Sequence, residues 1–169
     1  GCVSSSTLLV DVIPTPTVNI TALGSLTICA GTSTTLQASG AAGYLWSPSG
    51  SLTSSSGTIV VAAPTVSTLY TLIGTNGTCT DSKNVQVIVI PVIVPKISPH
   101  DTSICLGKSI KLTASGGNTY LWSPSSTLSS SVAATVIAKP VTTTSYSVIV
   151  SNNNICPQST SVLITVNPL

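Results

Sequence analysis

Five cysteines carry the most distinctive chemistry in this sequence, and they occur at repeating intervals. Cys29 and Cys105 are 76 residues apart, and Cys79 and Cys156 are 77 residues apart. None of them belongs to a Cys-x-x-Cys pair, and the single His100 has no counterpart one interval earlier, so we expect no zinc site. Cysteines in this arrangement indicate disulfide bonds and an oxidising compartment.

Groups that could perform acid–base or nucleophilic catalysis are scarce. His100 and Asp101, together with the many serines, supply the residue types of a hydrolase triad, but neither recurs one interval earlier and the sequence has no Gly-x-Ser-x-Gly elbow. The other acidic residues, Asp11 and Asp81, are too scattered for a calcium site, which needs clustered oxygen ligands. The sequence therefore predicts no enzyme, no metal and no cofactor.

Composition excludes two further classes of function. The 169-residue chain has 5% charged residues and a net charge of +2 without a single arginine, which is no footprint for a nucleic acid. The mean hydropathy is +0.56, but no run of about 18 apolar residues could form a transmembrane helix. The excess of Val, Ile, Thr and Ser favours an all-β fold.

The elements that must position the cysteines are repeated along the chain. The segment Thr27–Gly40 recurs as Ser103–Gly116, and Tyr44–Ser49 recurs as Tyr120–Ser125. The interval grows by one residue before the last cysteine, and we place this insertion in the loop Asn152–Asn154. Repeats of this length are typical of arrays of small domains.

The N-terminal residues extend the same series, because Cys2 lies 77 residues before Cys79. Residues 1–14 therefore form the last strand of a preceding repeat, or a donor strand that completes another subunit, and Cys2 is a half-cystine left at this boundary. The predicted domains are 15–91 and 92–169.

Each repeat holds about seven short β-branched runs separated by Gly, Ser, Asn or Pro, which predicts an immunoglobulin-like β-sandwich. The last strand of the first repeat is predicted from Asn84 onwards. Trp46 and Trp122 fall on the central strand, and Tyr70 and Tyr146 on a later one, so we expect all four in the cores. An exposed tryptophan would instead be a platform for stacking sugars.

The pattern Ile-Cys-x-Gly-x-Ser, Leu-x-Ala-Ser-Gly, Tyr-x-Trp-Ser-Pro, Thr-x-Tyr and Cys resembles the Ig-like and PKD-like tandem repeats of Bacteroidota secreted surface proteins. The resemblance covers nearly the whole chain. It implies export, often by the type IX system, and a place in an adhesin, filament or stalk. The chain lacks the Trp-x-Phe-Gly-Asp-Gly segment of PKD domains.

Two pairing schemes are open for the cysteines. Equal spans suggest one bond within each repeat, Cys29 with Cys79 and Cys105 with Cys156. In an Ig-like topology, however, these positions lie at opposite ends of strands about 16–23 Å long, whereas bridged Cα atoms lie within about 7 Å. A bond between repeats, from Cys29 to Cys156, avoids this distance and leaves Cys79 and Cys105 for neighbouring repeats.

The sequence thus predicts a non-catalytic structural segment of an extracellular bacterial filament, adhesin or stalk, stiffened by disulfides. Its expected partners are copies of itself or neighbouring repeats, and surface glycans are a further candidate. One alternative is a carbohydrate-binding module of a secreted enzyme. Another is a fibre subunit assembled by donor strands.

Overall fold

The computed structural model describes residue 4, residues 6–9 and residues 12–169, and all regular secondary structure in them is β. The chain divides into two compact units, residues 1–89 and residues 90–169. The strands of the first unit are β1 (Asn19–Ala22), β2 (Thr27–Cys29), β3 (Thr34–Ser39), β4 (Gly43–Ser47), β5 (Ile59–Ala62), β6 (Thr68–Asn76) and β7 (Cys79–Ile90). Those of the second are β8 (Lys96–Ser98), β9 (Thr102–Cys105), β10 (Ile110–Ser115), β11 (Thr119–Ser123), β12 (Thr135–Ala138), β13 (Thr144–Asn152) and β14 (Ile155–Asn167).

Each unit is an Ig-like sandwich of a three-stranded and a four-stranded sheet. The strand orders are β1-β3-β5 and β2-β7-β6-β4 in the first unit, and β8-β10-β12 and β9-β14-β13-β11 in the second. The two topologies are the same, which confirms the predicted fold class of tandem Ig-like sandwiches. β7 begins at Cys79 rather than Asn84, because it forms a long hairpin with β6 that pairs as far as Asn76.

Alternation of side chains explains why these short segments form a sandwich. In β3, Leu36 and Ala38 are buried, while Thr35 and Gln37 lie on the other face. A strand with one apolar face must cover that face with a second sheet. The core of each unit therefore lies between its own two sheets.

The predicted strand over residues 1–14 is not seen in the part of it that the structure describes. Residues 4, 6–9 and 12–14 belong to no strand, and the remaining ones, including Cys2 and Asp11, lie outside the described residues. The position of a last strand is already filled by β7 in the first unit and by β14 in the second. The pairing of residues 1–14 with a preceding repeat or with another subunit therefore stays a prediction.

The extra residue of the second repeat lies in a strand and not in the loop Asn152–Asn154. Both hairpins have two-residue loops, since Asn76 pairs with Cys79 and Asn152 pairs with Ile155. The register of β13 and β14 shifts between Val150 and Asn152, so that two residues of β14 face one residue of β13. This β-bulge contains Cys156 and absorbs the insertion.

Candidate functional sites

The four cysteines within the described residues fall into two classes. Cys29 and Cys156 are disulfide-bonded, whereas Cys79 and Cys105 are free thiols. A bond from Cys29 to Cys79 or from Cys105 to Cys156 is therefore wrong, although the equal spans suggested it. Cys79 and Cys105 thus have no disulfide partner among the described residues, and their predicted roles as half-cystines stay predictions.

Strand pairing gives the physical reason in the second unit. β9 runs parallel to β14, and Cys105 lies opposite Asn167 at the end of that strand. Cys156 lies near the start of the same strand. From Cys156 to Asn167, at about 3.3 Å per residue, the separation is roughly 36 Å. This is several times the distance that a disulfide can span.

The first unit repeats this arrangement. The backbone NH of Ile88 donates to the carbonyl of Leu26 at 2.8 Å, so the segment that contains β2 and Cys29 lies beside the end of β7. Cys79 is the first residue of β7. In the first unit, Cys29 and Cys79 therefore lie at opposite ends of the sandwich. In the second unit, the same holds for Cys105 and Cys156.

Cys29 and Cys105 occupy the same local structure. Each ends a short strand, and its carbonyl accepts a hydrogen bond from the backbone NH three residues later. The donors are Thr32 at 3.0 Å and Lys108 at 3.1 Å. The turn after each passes through a glycine in the left-handed region, with φ values of 86° and 83° for Gly31 and Gly107. The two cysteines differ in burial, since Cys29 is half-buried and Cys105 is exposed.

Cys79 and Cys156 are equivalent in sequence but differ in backbone. Cys156 lies in the bulge of β14 with a left-handed φ of 53° and is buried. Cys79 lies in the regular ladder opposite Asn76, and its thiol donates to the carbonyl of Ile13 at 3.6 Å. A bulge redirects the side chain that it contains. The backbone therefore directs the side chain of the bonded Cys156 differently from that of the free Cys79.

The two tryptophans lie in the cores, where they cannot stack on a sugar. Trp46 and Trp122 are 1% and 2% exposed. Their indole Nε1 atoms donate to the backbone carbonyls of Gly57 at 3.1 Å and Ala133 at 2.9 Å. Each indole thereby anchors the crossover between the fourth and fifth strands of its unit.

Tyr70 and Tyr146 are also completely buried. The hydroxyl of Tyr70 hydrogen-bonds with that of Ser51 at 2.6 Å, and the hydroxyl of Tyr146 bonds with that of Thr127. Both partners lie on the same crossover that the tryptophan holds. The aromatic residues of each unit therefore build one repeated structural network.

Tyr44 and Tyr120 are the aromatic residues with some exposure, and their hydroxyls are engaged locally. Tyr44 accepts from the NH of Ala41 at 2.9 Å, and Tyr120 donates to the carbonyl of Gly117. Both side chains are half-buried and pack against the cores.

The two acidic residues that the structure describes, Asp81 and Asp101, accept hydrogen bonds from the backbone. Asp81 accepts from the NH of Val18 at 2.8 Å, and Asp101 accepts from the NH of Leu163 at 2.8 Å. His100 is exposed, and no hydrogen bond joins it to Asp101 or to a serine within the described residues. The residue types of a triad are present, but the structure does not assemble them.

The carboxylate of Asp81 is the acidic group whose environment is clearly altered. The backbone hydrogen bonds from Val18 and Ser82 lower its pKa below the ordinary value for an aspartate, with a smaller contribution from Lys83. The sequence identified Asp81 only as a residue too isolated for a calcium site, because its hydrogen bond to Val18 joins distant positions and carries no motif.

A shallow cleft of about 230 Å³ lies on the second unit, against β11 and the β13–β14 hairpin. Tyr120 is its only titratable lining residue, and the hydroxyls of Thr119 and Ser151 bond to each other. The cleft therefore offers no acid–base pair for catalysis. Its lining residues are Thr119, Tyr120, Leu121, Ile149, Ser151, Asn154 and Pro157.

Metal-binding clusters and membrane-spanning helices are absent from the part of the chain that the structure describes. Residue 4, residues 6–9 and residues 12–169 contain no group of three or more His, Cys, Asp or Glu side chains that could hold a metal ion. The same part of the chain has no helix of the length and hydropathy needed to cross a membrane.

Comparisons with known proteins show the fold alone. A fragment of intimin in complex with the intimin-binding domain of Tir has a TM-score of 0.61 and 18% identity over 90% of this chain and 64% of that one. The titin I-band fragment I67–I69 has a TM-score of 0.54 and 14% identity, with coverage of 93% and 67%. The eight N-terminal Ig domains of DSCAM have a TM-score of 0.56 and 14% identity, with coverage of 92% and 25%.

The chain thus spans a quarter of the DSCAM fragment and about two thirds of the other two. No protein-family profile and no curated protein matches the sequence. The three structures share tandem Ig-like domains with this chain, which is built from two such domains.

Proposed function

We propose that this chain is a non-catalytic, load-bearing segment of an extracellular adhesin, filament or stalk, built from tandem Ig-like domains. One observation carries the proposal: the tryptophans and the bonded cysteines have structural roles, and the tryptophans have the same role in both domains. Trp46 and Trp122 anchor equivalent crossovers, and the two bonded cysteines add a covalent link.

We further propose that Cys29 and Cys156 are bonded to each other, so that consecutive repeats are joined covalently. Pairing within a repeat does not fit, because Cys79 and Cys105 are free. Each also lies at the opposite end of its unit from the other cysteine of that repeat. The remaining scheme from the sequence joins the two cysteines that carry a disulfide. Such a bond resists unravelling, because the strands from β3 to β13 lie within the covalent loop.

An extracellular location accords with disulfide-bonded cysteines, which persist in oxidising compartments. The resemblance to Bacteroidota surface repeats supports export by the type IX system. Antiserum against the full chain should then label intact cells of the source bacterium. Labelling only after the cells are broken would contradict this part of the proposal.

The two alternatives receive less support. A carbohydrate-binding module would need an exposed aromatic platform, but both indoles lie in the cores. A donor-strand fibre would need a unit that lacks its last strand, but β7 and β14 fill that position. Each unit therefore has a complete sandwich within its own sequence.

Stretching single molecules by their ends tests the load-bearing role. Roughly 130 residues lie between Cys29 and Cys156, and at about 3.5 Å each they store on the order of 450 Å of extended chain. With the bond intact, this length should stay hidden at any force that leaves disulfides unbroken. Adding a reductant should release it in two unfolding steps, one for each sandwich.

The variant Cys29→Ser should release the same length without a reductant, and Cys79→Ser should behave as the unaltered chain. Release of the full length from the oxidised chain would contradict the bond between repeats. If both sandwiches unfold at forces too low to distinguish from an unfolded chain, the load-bearing role is wrong.

A further inference from the structure

We propose that Cys105 is a docking cysteine for a following repeat and forms a disulfide with the hairpin cysteine of that repeat. The inference rests on the proposed function, because the staple between Cys29 and Cys156 supplies the pattern that Cys105 would repeat. Its occupant is a further copy of this module, joined after residue 169.

The first observation is the identity of two sites in neighbouring units. Cys105 ends its strand, starts its turn and accepts its backbone hydrogen bond in the same way as Cys29. Cys29 is disulfide-bonded, and Cys105 is not. The same local structure thus holds a half-cystine in one unit and an exposed thiol in the next.

The second observation excludes a partner within the same unit. Asn167, which lies opposite Cys105, is at the far end of β14 from Cys156. The partner must therefore come from outside this unit. In the sequence register, the cysteine one repeat further along is the counterpart of Cys156.

Position on the unit also suits this role. The neighbouring Leu106 is 40% exposed, and its NH donates to the carbonyl of Asn167 at 2.9 Å. The thiol thus lies beside the last residues of β14, where the chain leaves the unit. A repeat that follows directly in sequence starts at this same end.

Oxidation needs a two-electron acceptor, and a disulfide oxidant such as oxidised glutathione supplies it. The thiolate of Cys105 attacks one sulfur of the oxidant and releases one reduced glutathione. The thiolate of the incoming cysteine then attacks the Cys105 sulfur of the mixed disulfide and releases the second glutathione. Two thiols lose two protons and two electrons, and the oxidant gains them.

The test extends the full chain by a second copy of residues 90–169. The appended copy carries Ser103→Thr and Ser159→Thr, two exposed positions whose extra mass marks its peptides. The chain is refolded with oxidised glutathione and reduced glutathione, its thiols are alkylated, and the peptides are mapped without reduction. We expect Cys105 to be joined to the marked Cys156, and the number of free thiols to equal that of the parent chain.

A matched pair of variants separates this bond from chance oxidation. In the extended chain, Cys105→Ser should leave the marked Cys156 alkylated, whereas Cys79→Ser should leave the new bond in place. Alkylation of Cys105 in the unaltered extended chain, or its bonding to the marked Cys105, would overturn the inference.

The same map distinguishes the two proposals. If Cys29 is found bonded to the first Cys156 while Cys105 remains free, the staple between repeats stands and only its continuation fails. If Cys29 is bonded elsewhere, the pairing in the proposed function fails first. Circular dichroism of the β-sheet signal checks that each variant has folded.

Discussion

Asp81, in the last strand of the first unit, accepts a hydrogen bond from the backbone NH of Val18, the residue just before the first strand. The two residues are far apart in sequence, so the bond ties the beginning of the unit to its end. Position 158, the counterpart of Asp81 in the second unit, is Gln158, which has no charge to titrate.

We expect Asp81 to make the stability of the first unit depend on acid pH. The pKa of Asp81 is lower in the folded state than in the unfolded chain. Ionised Asp81 therefore stabilises the fold at pH values above about 3.8. This contribution is lost as the pH falls from that value through the lowered folded pKa. Hydrogen exchange of Val18 at pH 7 and at acid pH measures it.

The variant Asp81→Asn should exchange faster than the unaltered chain at neutral pH, with the difference vanishing in acid. Asp101→Asn is the control, because Asp101 holds a backbone NH of the second unit. A difference for Asp81→Asn that persists unchanged below both pKa values would show that the charge is not responsible.

Thr34 should be a site where a substitution stabilises the protein. Its Oγ1 is buried and has no hydrogen-bond partner among the residues that the structure describes. The counterpart in the second unit is Ile110, which supplies only carbon at this position. Thr34→Val removes the unpaired hydroxyl at nearly constant volume, so the free energy of unfolding should rise by about 1 kcal/mol.

Urea denaturation of the first unit measures this change. The reverse exchange, Ile110→Thr, should lower the stability of the second unit by about 1 kcal/mol, because Ile110 is half-buried against the core and the smaller threonine removes part of that apolar contact. A loss of stability in Thr34→Val would mean that the hydroxyl has a partner in solution.

Gly40 should tolerate no side chain. Its φ is +93°, and a Cβ there would lie 1.8 Å from the carbonyl oxygen of Thr17. Gly40→Ala combines a left-handed backbone with a clash against main chain, so we expect a loss of about 3 kcal/mol. Gly50→Ala, where a Cβ meets nothing within 4 Å, should change stability by less than about 0.5 kcal/mol.

Thermal unfolding by circular dichroism compares these two alanine variants. Equal melting temperatures for both would contradict the close approach of residues 17 and 40.

Removal of a buried tyrosine hydroxyl should have the same effect in both units. Tyr70→Phe leaves Ser51 without its partner, and Tyr146→Phe does the same to Thr127. Each change should lower the free energy of unfolding of its own unit by about 1 kcal/mol. Hydrogen exchange of peptides from each crossover measures the two losses separately, and an effect in only one unit would disprove the shared role.

The sequence alone allowed prediction of the repeat, the fold class and the core. Alternation such as Leu36 and Ala38 against Thr35 and Gln37 follows directly from the two-residue period of a strand, which needs no long-range information. The recurrence of Trp46 as Trp122 placed both on equivalent strands, because a repeated pattern constrains both copies at once. These features are local or periodic, and a single chain displays them.

Long-range pairing was decided by the tertiary structure. Equal spans made a bond within each repeat attractive, but the parallel pairing of β9 with the end of β14 separates Cys105 from Cys156 by the length of the strand. The inserted residue lies in the bulge that contains Cys156, and the hairpin loop keeps the two-residue length of its counterpart in the first unit.

Packing between distant residues was equally invisible in the sequence. In the first unit, Gly74 leaves the room that Val18 and Ala41 fill, whereas its counterpart Val150 packs over Gly117 in the second. The sequence by itself determined which residues face inward, since that depends on neighbours along the strand; which of them touch depends on how strands pair, and only the folded chain decided that.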